Sequence, residues 1–176
     1  DYLSSLEMKI QILINDKNII PRMSQMSQKT NQFNLTTKRY TESDILQFIE
    51  DPEFDIMAFS VADKFGDNGI CGLCVMKFYK ESLSVEIETL LMSCRVIGRN
   101  IEYSFMDYLI RFLKKKNIKH VDAKYIKTLK NQQTEIFYDQ CSFSFISQLD
   151  NDKKYQLNVV KYLPRNLDYI EVCDGR

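Results

Sequence analysis

The sequence predicts an α/β fold in which a mixed, mostly antiparallel sheet is flanked by helices. Three apolar segments, at 55–62, 70–79 and 83–92, follow one another with only short turns between them, which is typical of an antiparallel meander. A long amphipathic stretch then leads to a further apolar run, and strands joined by a helix run parallel. The 176 residues, 44% of them hydrophobic, are enough for the core of one domain spanning 1–176.

The first third of the chain predicts a strand followed by two helices. Met8–Ile14 alternates apolar and polar side chains and is predicted to be the first strand. A helix is expected from Pro21 to Asn31, because proline is well tolerated in the first turn of a helix. Thr41 is a suitable N-cap for the second helix, which should end before Pro52.

The middle of the chain predicts a long helix directly after the meander. From Ile101 to Lys116, apolar residues recur at spacings of three and four, so one face of this helix should pack on the sheet. Glu102 lies in its first turn and lysines lie in its last turn, where each charge complements the helix dipole. Asp67-Asn68-Gly69 supplies turn residues for the first hairpin of the meander.

The last third predicts a strand, a short helix and a hairpin. Val121–Ile126 is the strand that should run parallel to the fourth, and Asn131–Asp139 is the short helix. Phe143–Leu149 and Tyr155–Leu163 should form the hairpin around Asp150-Asn151-Asp152. The predicted order is therefore β-α-α-β-β-β-α-β-α-β-β.

The turn between the fourth strand and the long helix has the properties of an anion site. It reads Ser93-Cys94-Arg95-Val96-Ile97-Gly98-Arg99-Asn100. A helix start offers backbone N–H groups without intrahelical partners, the glycine permits unusual dihedrals, and two arginines add positive charge. Phosphate is the expected ligand. Gly98 stands alone, so the turn is neither a Walker A loop nor a three-glycine dinucleotide fingerprint.

Arg95-Val96-Ile97-Gly98-Arg99-Asn100 resembles the Arg/Gln-x-x-Gly-x-Gly/Ala turn of the GNAT N-acetyltransferase fold, from which it differs at Asn100. The predicted element order is similar to that fold as well. The resemblance implies a sheet splayed between its fourth and fifth strands, where backbone groups pair with the pantetheine arm of acetyl-CoA or another acyl-CoA. It implies these cofactor-binding residues: Met92, Cys94, Arg95, Val96, Ile97, Gly98, Arg99, Asn100 and Asn131.

Two stretches, Gln28–Thr41 and Leu91–Arg99, resemble the carboxy-terminal half of FkbH-like proteins. That resemblance implies a larger HAD-GNAT protein in which this chain is the C-terminal module and a HAD-like domain is a partner. It also implies work on acyl groups attached to the phosphopantetheine of an acyl carrier protein, as in the biosynthesis of methoxymalonyl and related extender units.

Two further residues are candidates for catalysis. Glu86 and Glu88 lie two apart on one strand and share a face, and a desolvated carboxylate near the splay could act as a general base. We expect Glu88 to have this role. Tyr138 resembles the tyrosine of a Tyr-x-x-x-Gly-Phe motif, with serine in place of the glycine, which implies that it protonates the leaving thiolate. Asn131 either binds the pantetheine arm or caps a helix.

Cys94 permits a different chemistry. A thiol just before a helix start and beside Arg95 could have a lowered pKa and carry an acyl group as a thioester. No histidine lies nearby in sequence to activate it, since the only one is His120. A buried structural cysteine is the alternative.

The composition of the chain limits the classes of partner that it is expected to bind. Lys+Arg and Asp+Glu both number 24, so no global field favours nucleic acid or an anionic membrane. The five scattered cysteines favour reduced thiols, and the sequence predicts no metal site. With neither a signal pattern nor an apolar run of membrane-spanning length, the sequence reads as cytoplasmic.

Three functions therefore remain open. The first is an acyltransferase that uses acyl-CoA or an acyl carrier protein. The second is a non-catalytic docking or dimerisation domain for a carrier protein, favoured by Asn100 and Ser142, where the resembled families have glycine. The third is an N-acetyltransferase for a small amine or a protein amino group.

Overall fold

The computed structural model describes residues 1–175. The α-helices within that range are α1 (Tyr2–Ser5), α2 (Ile20–Lys29), α3 (Glu42–Glu50), α4 (Ile101–Lys115) and α5 (Phe137–Gln140). The strands are β1 (Met8–Ile14), β2 (Phe33–Asn34), β3 (Phe54–Asp63), β4 (Gly66–Tyr79), β5 (Ser84–Met92), β6 (His120–Ile126), β7 (Ser144–Leu149), β8 (Asp152–Asn158) and β9 (Ile170–Cys173).

All the strands belong to one twisted sheet. Its order is β7-β8-β6-β5-β4-β3-β1-β9, and β2 pairs with β5 beside this path. Neighbouring strands are antiparallel except for the pairs β5/β6 and β1/β9, which are parallel. The predicted α/β fold with a mixed, mostly antiparallel sheet is thus confirmed.

Helices cover the sheet on two sides. On one side α4 buries Phe105, Leu109 and Leu113 in the larger core, and α5 packs there too. On the other side α2 and α3 bury Met23, Met26 and Ile45 against β3, β4 and β5. Each helix therefore contributes the apolar stripe that its periodicity predicted.

The sheet opens in its middle. Strands β5 and β6 pair from Ser84/His120 to Ile87/Ala123 and then separate, although both continue. At the same level β5 contains a β-bulge, because Thr89 pairs with Val75 and Ile87 pairs with Met76, which leaves Glu88 without a cross-strand partner. A bulge bends and twists its strand, so it helps the two strands to diverge. The strands β5 and β6 are the fourth and fifth strands predicted from the sequence. Their separation is therefore the splay that was predicted.

Several predicted elements differ in the structure. The predicted helix Asn131–Asp139 is a 3₁₀ turn at Gln132–Thr134 followed by the short α5. The last predicted strand does not reach Leu163, because the Asn158 side chain accepts from the Val160 N–H and starts a 3₁₀ turn. The short elements α1, β2 and β9 were not predicted.

A buried carboxylate sets the route of the C-terminal segment. Asp107 on α4 is 4% exposed. It accepts hydrogen bonds from the Tyr162 hydroxyl at 2.6 Å and from the backbone N–H groups of Arg165 and Asn166, each at 3.0 Å. The chain is thereby fixed across α4 before β9 pairs in parallel with β1.

Gly72 on β4 lies directly under an aromatic ring. A Cβ atom at this position would stand 1.9 Å from Cε1 of Phe59. The Phe59 ring is fully buried and packs against Phe105 with 4.5 Å between ring centroids. The glycine is therefore required for the close approach of β3, β4 and α4.

We expect Gly72→Ala to lower the free energy of unfolding by about 1–3 kcal/mol, because the added methyl group overpacks the core. Chemical denaturation measures this change. The double variant Gly72→Ala, Phe59→Leu should recover part of the loss relative to the sum of the two single variants. Full additivity of the two changes would contradict the contact.

Candidate functional site

The turn that follows β5 is an exposed strand-to-helix connection. A 3₁₀ turn at Cys94–Val96 begins where the Ser93 hydroxyl accepts from the Arg95 N–H. Gly98 and Asn100 both have left-handed backbone, with φ of +89° and +64°. No atom lies within 4 Å of the place where a Cβ of Gly98 would be, so the turn is open on this side.

Asn100 adopts the left-handed backbone conformation that a glycine would adopt at this position. Among non-glycine residues, asparagine tolerates left-handed backbone well. Its side-chain amide donates to the Tyr169 hydroxyl at 2.7 Å, which fixes the side chain on the C-terminal segment. The resembled motif has glycine or alanine at this position, and the glycine was the sequence signal that a left-handed backbone is needed here.

The two arginines of the turn have different surroundings. Arg99 forms an ion pair with Asp63 at 2.8 Å. A hydrogen bond from the Phe65 N–H and the Arg99 guanidinium lower the pKa of the Asp63 carboxyl, although burial opposes this shift. Arg95 is exposed and takes part in none of the ion pairs found within residues 1–175. Arg95 is therefore the better placed of the two for an anionic ligand.

The other predicted residues of the turn divide by burial. Met92 and Val96 are buried, and Ile97 is half-buried and packs against the core. The N–H groups of Val96 and Ile97 donate to the carbonyls of Ser93 and Cys94 within the turn. Cys94 is exposed and is a free thiol. It faces a cavity of about 630 Å³, which adjoins the end of β5 and is bordered by α2, β2 and the loop after β6. The residues around the cavity include the cations Arg22, Lys29 and Lys130 and the apolar Met26, Phe33, Met92 and Leu129.

The gap between β5 and β6 is filled by the chain itself. Phe33 and Asn34 of β2 pair with Met92 and Leu91 of β5. The next residue, Leu35, continues the pairing on both sides, since its N–H donates to the Leu90 carbonyl at 3.2 Å and its carbonyl accepts from the Ile126 N–H at 2.8 Å. The backbone of residues 33–35 thus bridges the two diverging strands.

Asn131 holds this bridge from the side of β6. It is fully buried, and its side-chain amide donates to the carbonyls of Asn34 and Ile126, each at 2.9 Å. Its Oδ1 accepts from the Thr128 N–H and the Tyr125 hydroxyl. Asn131 does not cap a helix through its side chain, and in this state both amide protons are used within the chain.

Phe33 closes the gap on the side of α4. Its side chain is 6% exposed, and its ring meets that of Phe137 edge to face with 5.2 Å between centroids. Phe137 in turn lies 5.8 Å from Tyr103 on α4. A row of aromatic rings therefore runs from β2 through α5 to α4.

Two carboxylates of β5, Glu86 and Glu88, form a pair, and a lysine binds one of them. Lys38, from the loop after β2, binds Glu88 at 2.7 Å. Partial burial opposes ionisation of Glu88, but the Lys38 ammonium outweighs it and lowers the pKa of the Glu88 carboxyl. Partial burial and a hydrogen bond with Glu88 raise the pKa of Glu86. The structure thus brings together Glu86, Glu88 and Lys38, with the pKa of Glu86 raised and that of Glu88 lowered.

Tyr138 lies in a different environment. It is 1% exposed and packs against Phe143 and Tyr155, with ring centroids at 4.9 and 5.6 Å. Burial raises the pKa of its hydroxyl well above the ordinary value, so the phenol stays protonated. The side chain belongs to the core on the α4 side of the sheet, whereas Glu86 alternates with core residues on β5 and faces the other side.

Sequence reasoning missed Lys38 and the bridging role of residues 33–35. The only signal in the stretch Gln28–Thr41 was its resemblance to FkbH-like proteins. Its polar residues bind the strands around it, as when the Thr36 hydroxyl donates to the Glu88 carbonyl at 3.2 Å. Such long-range pairing has no periodic signal in the sequence.

The carboxylate pair predicts opposite effects of two matched substitutions. Above pH 7, Glu86→Gln should raise the free energy of unfolding and Glu88→Gln should lower it, each by a few tenths of a kcal/mol since both groups are partly solvated. The raised pKa of Glu86 means that its ionised form costs stability, whereas the lowered pKa of Glu88 means that its ionised form contributes stability.

Both differences should shrink as the pH falls to about 4 and below, where the two carboxylates become protonated in the parent protein. Thermal unfolding across this pH range measures them. A destabilising Glu86→Gln at neutral pH would contradict the assignment.

Two features are absent from the part of the chain that the structure describes. Residues 1–175 contain no group of three or more His, Cys, Asp or Glu side chains that could hold a metal ion. None of the helices in the same range combines the length and the apolar character needed to cross a membrane.

Comparison with known proteins identifies the fold. No family model matches the chain, and none of the curated proteins matches it in sequence. Solved structures do match. A mutant of the spermidine N-acetyltransferase SpeG from Vibrio cholerae has a TM-score of 0.65 at 14% identity, over 90% of this chain and 98% of that one.

Two other solved structures are similar to the same degree. A ribosomal-protein-alanine N-acetyltransferase from Escherichia coli has a TM-score of 0.63 at 10% identity, over 90% of this chain and 98% of that one. Ard1 from Thermoplasma volcanium has a TM-score of 0.64 at 16% identity, over 85% and 97% of the two chains. The chain therefore has the fold of the GNAT N-acetyltransferases.

Proposed function

We propose that this domain binds the phosphopantetheine thioester of an acyl-CoA or of an acyl carrier protein and transfers the acyl group. The observation that carries the proposal is the exposed turn at Ser93–Asn100. It leads into the 15-residue helix α4, carries the exposed Arg95, whose only side-chain hydrogen bond found in the described residues is to the Ser93 hydroxyl, and adjoins a cavity bordered by three cations. Backbone N–H groups at a helix start and an arginine together suit a phosphate or diphosphate.

The residues of the turn would share the work of binding. Gly98, Arg99 and Asn100 would present backbone N–H groups to the diphosphate, and Arg95 would add a charged hydrogen bond. Met92, Val96 and Ile97 would shape the floor of the site through the backbone. Cys94 and Asn131 would lie beside the pantetheine arm.

The chemical step would be direct attack on the thioester. An acceptor amine or thiol would give its proton to the Glu86 and Glu88 pair as it bonds to the thioester carbonyl carbon. The tetrahedral intermediate would then expel the pantetheine thiolate. Tyr138 would give this thiolate a proton once its ring is uncovered, because in this state the ring is 1% exposed and lies on the α4 side of the sheet. Glu88 is held as a weak base by Lys38, so the proton would come to rest on Glu86.

The biosynthetic setting follows from the resemblance to FkbH-like proteins. A carrier protein would deliver the acyl group on its phosphopantetheine, and a HAD-like domain would belong to the full-length protein. The acyl group would then be an extender unit or a related small acid. Cytoplasmic location and independence from nucleic acid and membrane are part of this proposal.

A second candidate is a non-catalytic domain that docks a carrier protein. The observation that favours it is the bridge of residues 33–35, which fills the space where a pantetheine arm would pair with β5. A domain of this kind would recognise the protein surface of the carrier and not its thioester.

Calorimetric titration separates these candidates. We expect the acetylated holo carrier protein to bind more tightly than the apo carrier protein, and acetyl-CoA to bind as well. Arg95→Glu should weaken both thioester ligands at least tenfold, because it places a negative charge beside the phosphates. This variant is preferable to a change at Arg99, whose ion pair with Asp63 also supports the fold.

Lys161→Glu is the matched control, since it makes the same reversal of charge on the exposed turn after β8. Equal affinity of the apo and the holo carrier protein, with no binding of acetyl-CoA, would favour the docking domain. Acetylation of a free amine such as spermidine by acetyl-CoA alone would instead favour an N-acetyltransferase.

Tyr138→Phe tests the chemical step. The substitution keeps the ring in the core and removes the proton donor, so we expect turnover to fall about 10²-fold to 10⁴-fold with little change in the binding of the thioester. Tyr155→Phe, in the ring next to it, is the control for loss of a buried hydroxyl. Unchanged turnover in Tyr138→Phe would remove this residue from the mechanism.

A further inference from the structure

Strand β2 and the residue after it occupy the path that a pantetheine arm would take under the proposed function, on which the following inference rests. The arm needs the free backbone groups of β5 beyond the point where β5 and β6 separate. In the structure those groups are already paired, since Leu90, Leu91 and Met92 of β5 meet residues 35, 34 and 33. A thioester can reach them only when this segment leaves.

The side chains of the segment fill the same space. Leu35 is fully buried, and Phe33 reaches through the sheet to the ring of Phe137. Together with Tyr103 they close the route between α4 and α5. Both the backbone and the volume of the gap are therefore taken by the chain itself.

The segment pairs with β5 over only two residues, fewer than the strands around it do. Beyond these pairs, it is held by the Leu35 bonds, by the Asn131 amide, by the Thr36 hydroxyl and by the Asn34 side chain, which donates to the Thr30 carbonyl and accepts from the Thr37 N–H. The loop around it carries exposed residues such as Gln32 and a left-handed Thr37 with φ of +54°. Local opening of this element would break these bonds and uncover Phe33 and Leu35, but it would leave the rest of the sheet paired, so it requires less free energy than global unfolding.

We propose that residues 33–36 form a gate that selects the thioester by its carrier. Free acyl-CoA must displace the gate with the contacts of the pantetheine arm alone. An acyl carrier protein adds contacts between protein surfaces, so it can stabilise the open state further. The gate lowers the apparent affinity for every thioester by the same factor, the fraction of molecules that are open, so a ligand that lacks additional contacts is the first to fall below a useful affinity.

Asn131 holds the gate in its closed position. Its amide joins Asn34 to the end of β6, so the gate and β6 separate only when these hydrogen bonds break. This gives Asn131 a positioning role toward the segment at 33–36 and not a contact with the ligand in the closed state.

Hydrogen exchange of the Leu35 amide in the unliganded protein tests the gate directly. We expect this amide to exchange by local opening, faster than the central amides of β5. Addition of a saturating acetylated holo carrier protein should deprotect it further, because the ligand displaces the segment. Exchange of Leu35 only together with the slowest amides of the sheet would overturn the proposal.

Two substitutions should open the gate. Thr36→Val removes the hydrogen bond to Glu88 with almost no change in shape, and Phe33→Ala empties the space beside Phe137. We expect acetyl-CoA to bind roughly threefold to tenfold tighter to either variant. Phe65→Ala is the matched control, because this phenylalanine is 79% exposed and lies in the β3–β4 turn.

The outcomes separate the gate from the proposed function. Binding of acetyl-CoA that is equally tight in the parent and in both variants, with Leu35 still protected, would leave the function standing and overturn the gate. If no thioester binds to the parent or to any variant, the proposed function fails and the gate, which rests on it, fails with it. Retained circular dichroism and thermal unfolding show that the variants are folded.

Discussion

Diverging strands leave backbone N–H and C=O groups that must find partners, and this need shapes the middle of the molecule. Strands β5 and β6 part after Ile87 and Ala123. The chain supplies the missing partners from residues 33–36, and it supplies Asn131 to hold them. A buried backbone group without a partner would cost free energy comparable to a lost hydrogen bond, so an empty splay would be unstable unless water or a ligand filled it.

The segment that fills the splay, residues 33–36, also connects the two sides of the sheet. The loop that carries residues 33–36 also carries Lys38, which holds Glu88 at the bulge of β5. The bulge, the lysine and the carboxylate pair are thus placed by one segment. A change in its position would alter both the space between β5 and β6 and the charge beside Glu86 and Glu88.

Sequence patterns predicted most of the strands and helices because these elements have regular burial. The stripe of α4 and the meander of β3, β4 and β5 were recognisable for that reason. Patterns could not predict β2 or β9, which are two and four residues long and exist through pairing with distant strands. The turn at Gly98 was identified from its glycine and arginines, but the ion pair that occupies Arg99 depends on a strand 36 residues earlier in the chain.

The parallel pairing of β1 with β9 has a consequence for the order of events during synthesis. The outer edge of β1 receives its partner only from residues 170–173, after Asp107 has fixed the segment that precedes them. A ribosome releases the chain from its amino end, so β1 waits with one open edge while nearly all of the sheet forms. An open strand edge can pair with other chains, and β1 is exposed to this hazard until β9 emerges.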